Sequence, residues 1–165
     1  MKRRGFLRLR ERYARRGKRF VYLDESGFAP TCARRYGYAP KGQRVYGTFS
    51  GNRRPRTSLL AARIGTEFTA TFLFDGTCTA DVFNLWLECE LCPLLRPDHV
   101  VVMDNAAFHK SQTTRDLISS TGATLLFLPP YSPDLNPIEH DFAALKKIRE
   151  YAHETPLDAI IKAYK

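Results

Sequence analysis

Between Thr79 and about Leu95 the apolar side chains Val82, Leu85, Trp86 and Cys89 return every third or fourth position. That spacing predicts a helix that starts near Thr79 or Asp81. Upstream the rhythm shortens. Glu67–Phe74 alternates polar and apolar, as a half-buried strand does, and Arg19–Asp24, Gln43–Ser50 and Thr57–Ile64 are further β-prone runs. Turn residues Gly51, Asn52 and Pro55 separate the second of these from the third, and Asp75-Gly76 closes the alternating run. Downstream, His99–Met103 and Thr124–Leu128 are short continuous apolar runs, the pattern of strands covered on both faces. A helix is expected over Ser111–Ser120, and the last one from Pro137.

Strands of antiparallel type therefore come first, followed by helix, strand, helix, strand and helix. This order predicts an α/β domain with a hairpin meander on one side of the sheet and parallel strands on the other. At 165 residues one domain suffices. No apolar run is long enough to cross a bilayer, so no membrane partner is expected. Met1 opens onto arginines rather than a secretory signal. The four cysteines (Cys32, Cys78, Cys89, Cys92) form no paired framework and are expected to be reduced, with the cytoplasm as compartment. Cys89-Glu-Leu-Cys92 is a lone C-x-x-C without the second pair a zinc site needs.

Charge changes the picture more than composition does. Residues 1–19 hold ten lysines and arginines against one glutamate, and residues 26–66 hold eight with no acid. From Glu67 onward fourteen acidic residues face eight basic ones. A basic first half and an acidic second half suit a polyanion held by one and worked on by the other. Arg34, Arg35, Lys41, Arg44, Arg53, Arg54 and Arg56 are the candidate phosphate contacts. Tyr36 and Tyr38 among them would stack on a base or pack on the sheet, packing being the favoured reading. Residues 1–19 read as a basic N-terminal segment, a linker remnant, before a domain over 20–165.

Two apolar runs end alike, Val21-Tyr-Leu-Asp24-Glu25 and Val101-Val-Met-Asp104-Asn105. Open α/β sheets place ligands at strand carboxyl ends. Carboxylates on neighbouring strands would lie about 4.8 Å apart. They would raise each other's pKa unless a cation sat between them. Hard cations such as Mg2+ take such oxygen ligands. Strand alternation would turn Glu25 the other way.

A third acid, Glu139, follows the loop Pro129-Pro-Tyr-Ser-Pro-Asp-Leu-Asn136-Pro137. Asn136, Pro137 and Glu139 fit N-cap, N1 and N3 of a capping box. A cap does not need the preceding prolines. They reduce the loop's freedom before folding, so it can hold the helix start in one place.

Leu23-Asp24-Glu25-Ser26-Gly27-Phe28, Met103-Asp104-Asn105-Ala106-Ala107-Phe108-His109-Lys110 and Pro130–His140 resemble the three catalytic blocks of DDE transposases. The mariner superfamily, in its bacterial insertion-sequence branch, is the nearest likeness, and 34 residues separate Asp104 from Glu139. The resemblance implies a ribonuclease H-like fold with a mixed five-stranded sheet flanked by helices. It also implies Asp24, Asp104 and Glu139 as catalytic and metal-binding triad for two Mg2+ ions, with Mn2+ as substitute. Asp24 would bridge both ions while Asp104 and Glu139 hold one each.

The implied activity is metal-dependent cleavage of double-stranded DNA at element ends, and transfer of the 3′ end into target DNA. The implied partners are a second copy of the chain and a separate helix-turn-helix chain or domain, since only about nineteen residues precede the first block. The expected location is a bacterial cytoplasm, at the nucleoid when bound to DNA. Asn105, His109, Asn136 and His140 are supporting residues: Asn105 would orient the Asp104 turn, and each histidine would steady a phosphate or a metal-bound water or lie on a helix surface. A general nuclease of this fold and a catalytically idle DNA-binding remnant remain open beside the transposase reading.

Overall fold

In the computed structural model, which describes residues 2–29, 38–44, 46, 56–152 and 155–164, the extended runs become one five-stranded sheet in the order β3-β2-β1-β4-β5. β1 (Arg19–Phe28), β2 (Thr57–Ile64) and β3 (Glu67–Asp75) form the antiparallel meander. β4 (His99–Met103) and β5 (Thr124–Phe127) continue the sheet in parallel from β1. β4 is buried at every position, as its continuous apolar run requires. The further strand expected over Gln43–Ser50 lies mostly outside the described residues, and Gln43, Arg44 and Tyr46 are not in a strand.

Helices cover both faces. Odd-numbered β1 residues Val21 and Leu23 pack with Leu60, Val101 and Met103 under α2 (Ala80–Trp86) and α3 (Gln112–Ser120), through Phe83, Trp86 and Ile118. On the other face Phe28, Leu59, Ala61 and Phe68 meet Ile138, Phe142 and Leu145 of α4 (Ile138–Tyr151) and Ile160 and Ile161 of α5 (Leu157–Ala163). The expected helix over Thr79–Leu95 is α only to Trp86, then a π turn over Leu87–Leu91 and a 3-10 turn over Cys92–Leu94. Pro93, which has no N–H to continue an α ladder, lies in the 3-10 turn that ends this stretch.

The basic N-terminal segment is itself structured. Arg3–Arg15 forms α1, and Phe6, with no solvent exposure, enters a cluster with Val100, Val102, Leu126, Leu128 and Leu135. Two arginine nitrogens of Arg3 donate to the two carboxylate oxygens of Asp134 at 2.9 and 2.5 Å. Among the described residues no helix is long and apolar enough to cross a membrane.

A candidate active site at the carboxyl ends of β1 and β4

The parallel pairing of β1 with β4 ends at Tyr22–Val102. Asp24 and Asp104 each lie two residues beyond that couple, so equal register sets them at the same level. One expectation needs correction. β1 does not stop at Asp24, because β2 goes on pairing with it as far as Phe28–Thr57. Asp24 stands where the parallel neighbour ends, and the opening beside the sheet comes from the departure of β4.

Asp24 is held from two sides. The Glu25 N–H donates to its Oδ1 at 2.8 Å, and the Asn136 amide donates to its Oδ2 at 3.0 Å and to the Leu23 carbonyl at 3.4 Å. Burial, then the nearby charges of Glu139 and Asp104, push its carboxyl up to about 7 despite the Glu25 N–H. Asp104 goes the opposite way. A hydrogen bond from His109 lowers it, outweighing partial burial, with the Ala106 N–H and Lys110 helping. The Ala106 N–H and His109 Nδ1 reach the same oxygen, Oδ1, at 3.0 and 2.5 Å. Asn105 donates its side-chain amide to the Leu128 carbonyl, tying the Asp104 turn to the exit of β5.

Glu139 lies exposed in the first turn of α4. The capping box expected there does not form. The Asn136 side chain is buried and turned to Asp24, while only its backbone carbonyl accepts from the Glu139 N–H, at 3.2 Å. An interaction across the site displaces the local cap, so Asn136 links the helix start to β1. The proline loop supplies the wall. Leu128–Pro133 lines an open cavity of about 480 Å3 together with Asp24, Asp104, Asn105, Ala106, Asn136 and Glu139. Tyr131 projects fully exposed from a backbone of φ 53°, a conformation unfavourable for a bulky side chain.

Of the other expected site residues, Lys41, Arg44 and Arg56 are exposed, whereas Arg34, Arg35, Arg53 and Arg54 lie outside the described residues, as does Tyr36. Tyr38 is fully exposed instead of packed on the sheet. The Arg56 guanidinium lies against Gly27, where a Cβ would overlap it. His140 is exposed on α4 and does not line the cavity. His109 is buried beneath Asp104 and not on a surface, so a direct phosphate contact is excluded for it. Glu25 points away from Asp24, toward the buried Cys78 thiol, which burial and then Glu25 push up to about 12. Cys78, Cys89 and Cys92 are free thiols. The tether from Arg3 to Asp134, within the proline loop, has no signal in the sequence because 131 positions separate the partners.

Among the described residues no three acidic, histidine or cysteine side chains close on a common point as a ready cation cage. The donor set nevertheless suits a hard cation. Three carboxylates border one cavity, one of them destabilised by the other two, and Asp104 Oδ2 carries no hydrogen bond among the described residues.

Residues 19–158 match the family model described as DDE superfamily endonuclease. The chain is similar to the Tc3 transposase of Caenorhabditis elegans, with 42% identity over 74 residues, which is 45% of this chain and 22% of that protein. Its fold is similar to that of the mariner Mos1 transposase. A Mos1 paired-end complex with Mg superposes with a TM-score of 0.69 at 24% identity, covering 88% of this chain and 47% of the other. The Mos1 strand transfer complex gives 0.68 at 24%, covering 90% and 49%, and the isolated Mos1 catalytic domain gives 0.59 at 18%, covering 91% and 70%. The chain thus spans under a quarter of the Tc3 protein and about half of the Mos1 chains in those complexes. The shared fold is the mixed five-stranded sheet flanked by helices, of the ribonuclease H-like kind.

Proposed function

The chain belongs to the DDE superfamily endonuclease family, and from that premise we propose that it cleaves DNA phosphodiesters and joins a 3′ end to target DNA, with Asp24, Asp104 and Glu139 as its metal-holding triad. One observation carries this reading: the Asp24 carboxyl, raised to about 7 by burial and by Glu139 and Asp104, borders one cavity with both of them. Negative charge gathered against its own electrostatic cost is a site made to be completed by cations.

Divalent ions held there would make water or a 3′-hydroxyl a better nucleophile and stabilise the departing oxygen, two ions serving both ends of an in-line displacement. Mos1 paired-end complexes have been solved with Mg and with Mn. The protein's own task is placement. Asn136 and the Glu25 N–H fix Asp24, the Ala106 N–H and His109 fix Asp104, and the proline loop holds the start of α4 for Glu139. No serine, cysteine or tyrosine nucleophile is required.

DNA would lie along the basic half, its phosphates met by exposed Lys41, Arg44 and Arg56 and by the arginines of α1. Pairing of two copies on two DNA ends, and end recognition by a helix-turn-helix chain or domain, are further parts of the proposal, in keeping with the paired-end Mos1 complexes.

The test is Mn2+ titration followed by thermal melting, with Asp104→Ala and Glu139→Gln beside the wild type, then cleavage and strand-transfer assays on labelled duplexes. Stabilisation by Mn2+ in the wild type that both variants lose supports the triad. A folded wild type that neither responds to Mn2+ nor cleaves DNA overturns the proposal. Cleavage without joining would reduce it to a nuclease.

A further inference from the structure

His109 sits where a histidine is hard to explain by packing alone. Its side chain is only 2% exposed and packs against the rings of Phe83 and Phe108, at centroid distances of 4.3 and 4.2 Å. An apolar ring would fill that slot without a polar atom to satisfy. Nε2 is buried there and has no hydrogen-bond partner among the described residues. Nδ1, by contrast, is 2.5 Å from Asp104 Oδ1. With no acceptor near Nε2, the ring's proton belongs on Nδ1, where the carboxylate accepts it.

Oδ1 thus takes two donors, His109 and the Ala106 N–H, and the turn carrying Asp104 is further tied by Asn105 to the end of β5. No hydrogen bond reaches Oδ2 among the described residues. The Asp104 side chain, 47% exposed, borders the cavity from that state. The ring itself cannot swing, since Phe83 also packs on Trp86 and Phe108, and Phe83 is fully buried.

We propose that His109 is a positioning residue that locks Asp104 Oδ1, so that Asp104 presents Oδ2 alone to a divalent cation, as a one-oxygen ligand. This rests on the triad reading above. A carboxylate free to turn would offer either oxygen or both, and lose freedom on binding that the locked group has already lost.

The experiment compares Mn2+ affinity, by calorimetry and by electron paramagnetic resonance of free Mn2+, with melting of the metal-free protein. His109→Phe keeps an aromatic ring in the slot and removes the donor; His109→Asn removes the ring and keeps an amide donor near the place of Nδ1. The expectation is that His109→Phe folds, melts at or above the wild type, and binds Mn2+ about 10- to 100-fold more weakly. His109→Asn should melt lower but bind Mn2+ within a few-fold of wild type. A purely structural histidine would give the reverse order.

Should His109→Phe bind Mn2+ like the wild type while Asp104→Ala does not bind, His109 is only a core residue and the triad stands. Should Asp104→Ala bind like the wild type, the triad reading itself fails and the positioning role with it. If His109→Phe does not fold, His109→Asn decides: loss of Mn2+ binding in that folded variant overturns the proposal. Nitrogen-15 spectra of the wild-type ring give an independent check, because a proton on Nε2 and none on Nδ1 would refute the hydrogen bond.

Discussion

Replacing Asp24 by asparagine should make the metal-free protein more stable, and only above acidic pH. Its carboxyl stands at about 7 in the folded chain against an ordinary 3.8. A raised carboxyl binds its proton more tightly folded than unfolded, so the stability contributed by that proton falls as pH climbs from about 4, and this contribution is gone above about 7. At about 1.4 kcal/mol per pH unit the gap corresponds to about 4 kcal/mol. Asparagine removes the charge and keeps the shape. Its amide can meet Asn136 Oδ1, which has no partner among the described residues, once that side chain turns over and gives up its long 3.4 Å contact to the Leu23 carbonyl. Urea denaturation in EDTA should therefore show Asp24→Asn level with wild type to about 1 kcal/mol near pH 4.5, and ahead by about 4 kcal/mol at pH 8. Saturating Mn2+ at pH 8 should narrow the difference by stabilising the wild type alone. Equal stability at pH 8 without metal, or a less stable variant, would refute the idea that Asp24 is buried among like charges.

Phe6→Ala should cost about 3–5 kcal/mol in chemical denaturation, the range for emptying a fully buried aromatic site, whereas a loosely attached N-terminal segment would show no change. Arg63→Met should destabilise by about 3–5 kcal/mol at pH 7, because among the described residues it leaves the buried Asp141 carboxylate with the Tyr164 hydroxyl alone, without the two contacts to Arg63 at 2.6 and 2.7 Å; an unchanged melt would show that Asp141 is solvated. Tyr131→Gly should raise stability by about 1 kcal/mol by relieving the left-handed backbone at φ 53°, and a fall in melting temperature would mean that the ring supports the loop.

Local patterning made most of the architecture legible. A run such as His99–Met103, apolar from Val100 to Met103, has the pattern of a strand covered on both faces, and the structure buries all five residues. The change from alternation in Glu67–Phe74 to three- and four-residue spacing after Thr79 separated meander from helical half, because the two periods bury different stripes. The same spacing could not show where the α helix stops at Trp86. That depends on how Pro93 and the packing of Leu87 and Leu91 settle the last turns.

The acids were legible as candidates because each closes an apolar run in the sequence, although β1 itself continues past Asp24. Their meeting was decided by tertiary structure. Only the parallel register of β1 with β4 puts Asp24 and Asp104 at one level, and register is set by which faces can be buried, over separations of some eighty residues. Asn136 shows the limit most clearly. Its sequence position reads as a helix cap, yet the side chain is drawn to Asp24 by the hydrogen bond its NH2 donates, leaving Oδ1 without a terminal N–H among the described residues, and nothing within a few residues of Asn136 announces that Asp24 will be there. Residue types and their periods can specify the elements; the raised carboxyl of Asp24 and the tether of Arg3 exist only once distant parts of the chain come together.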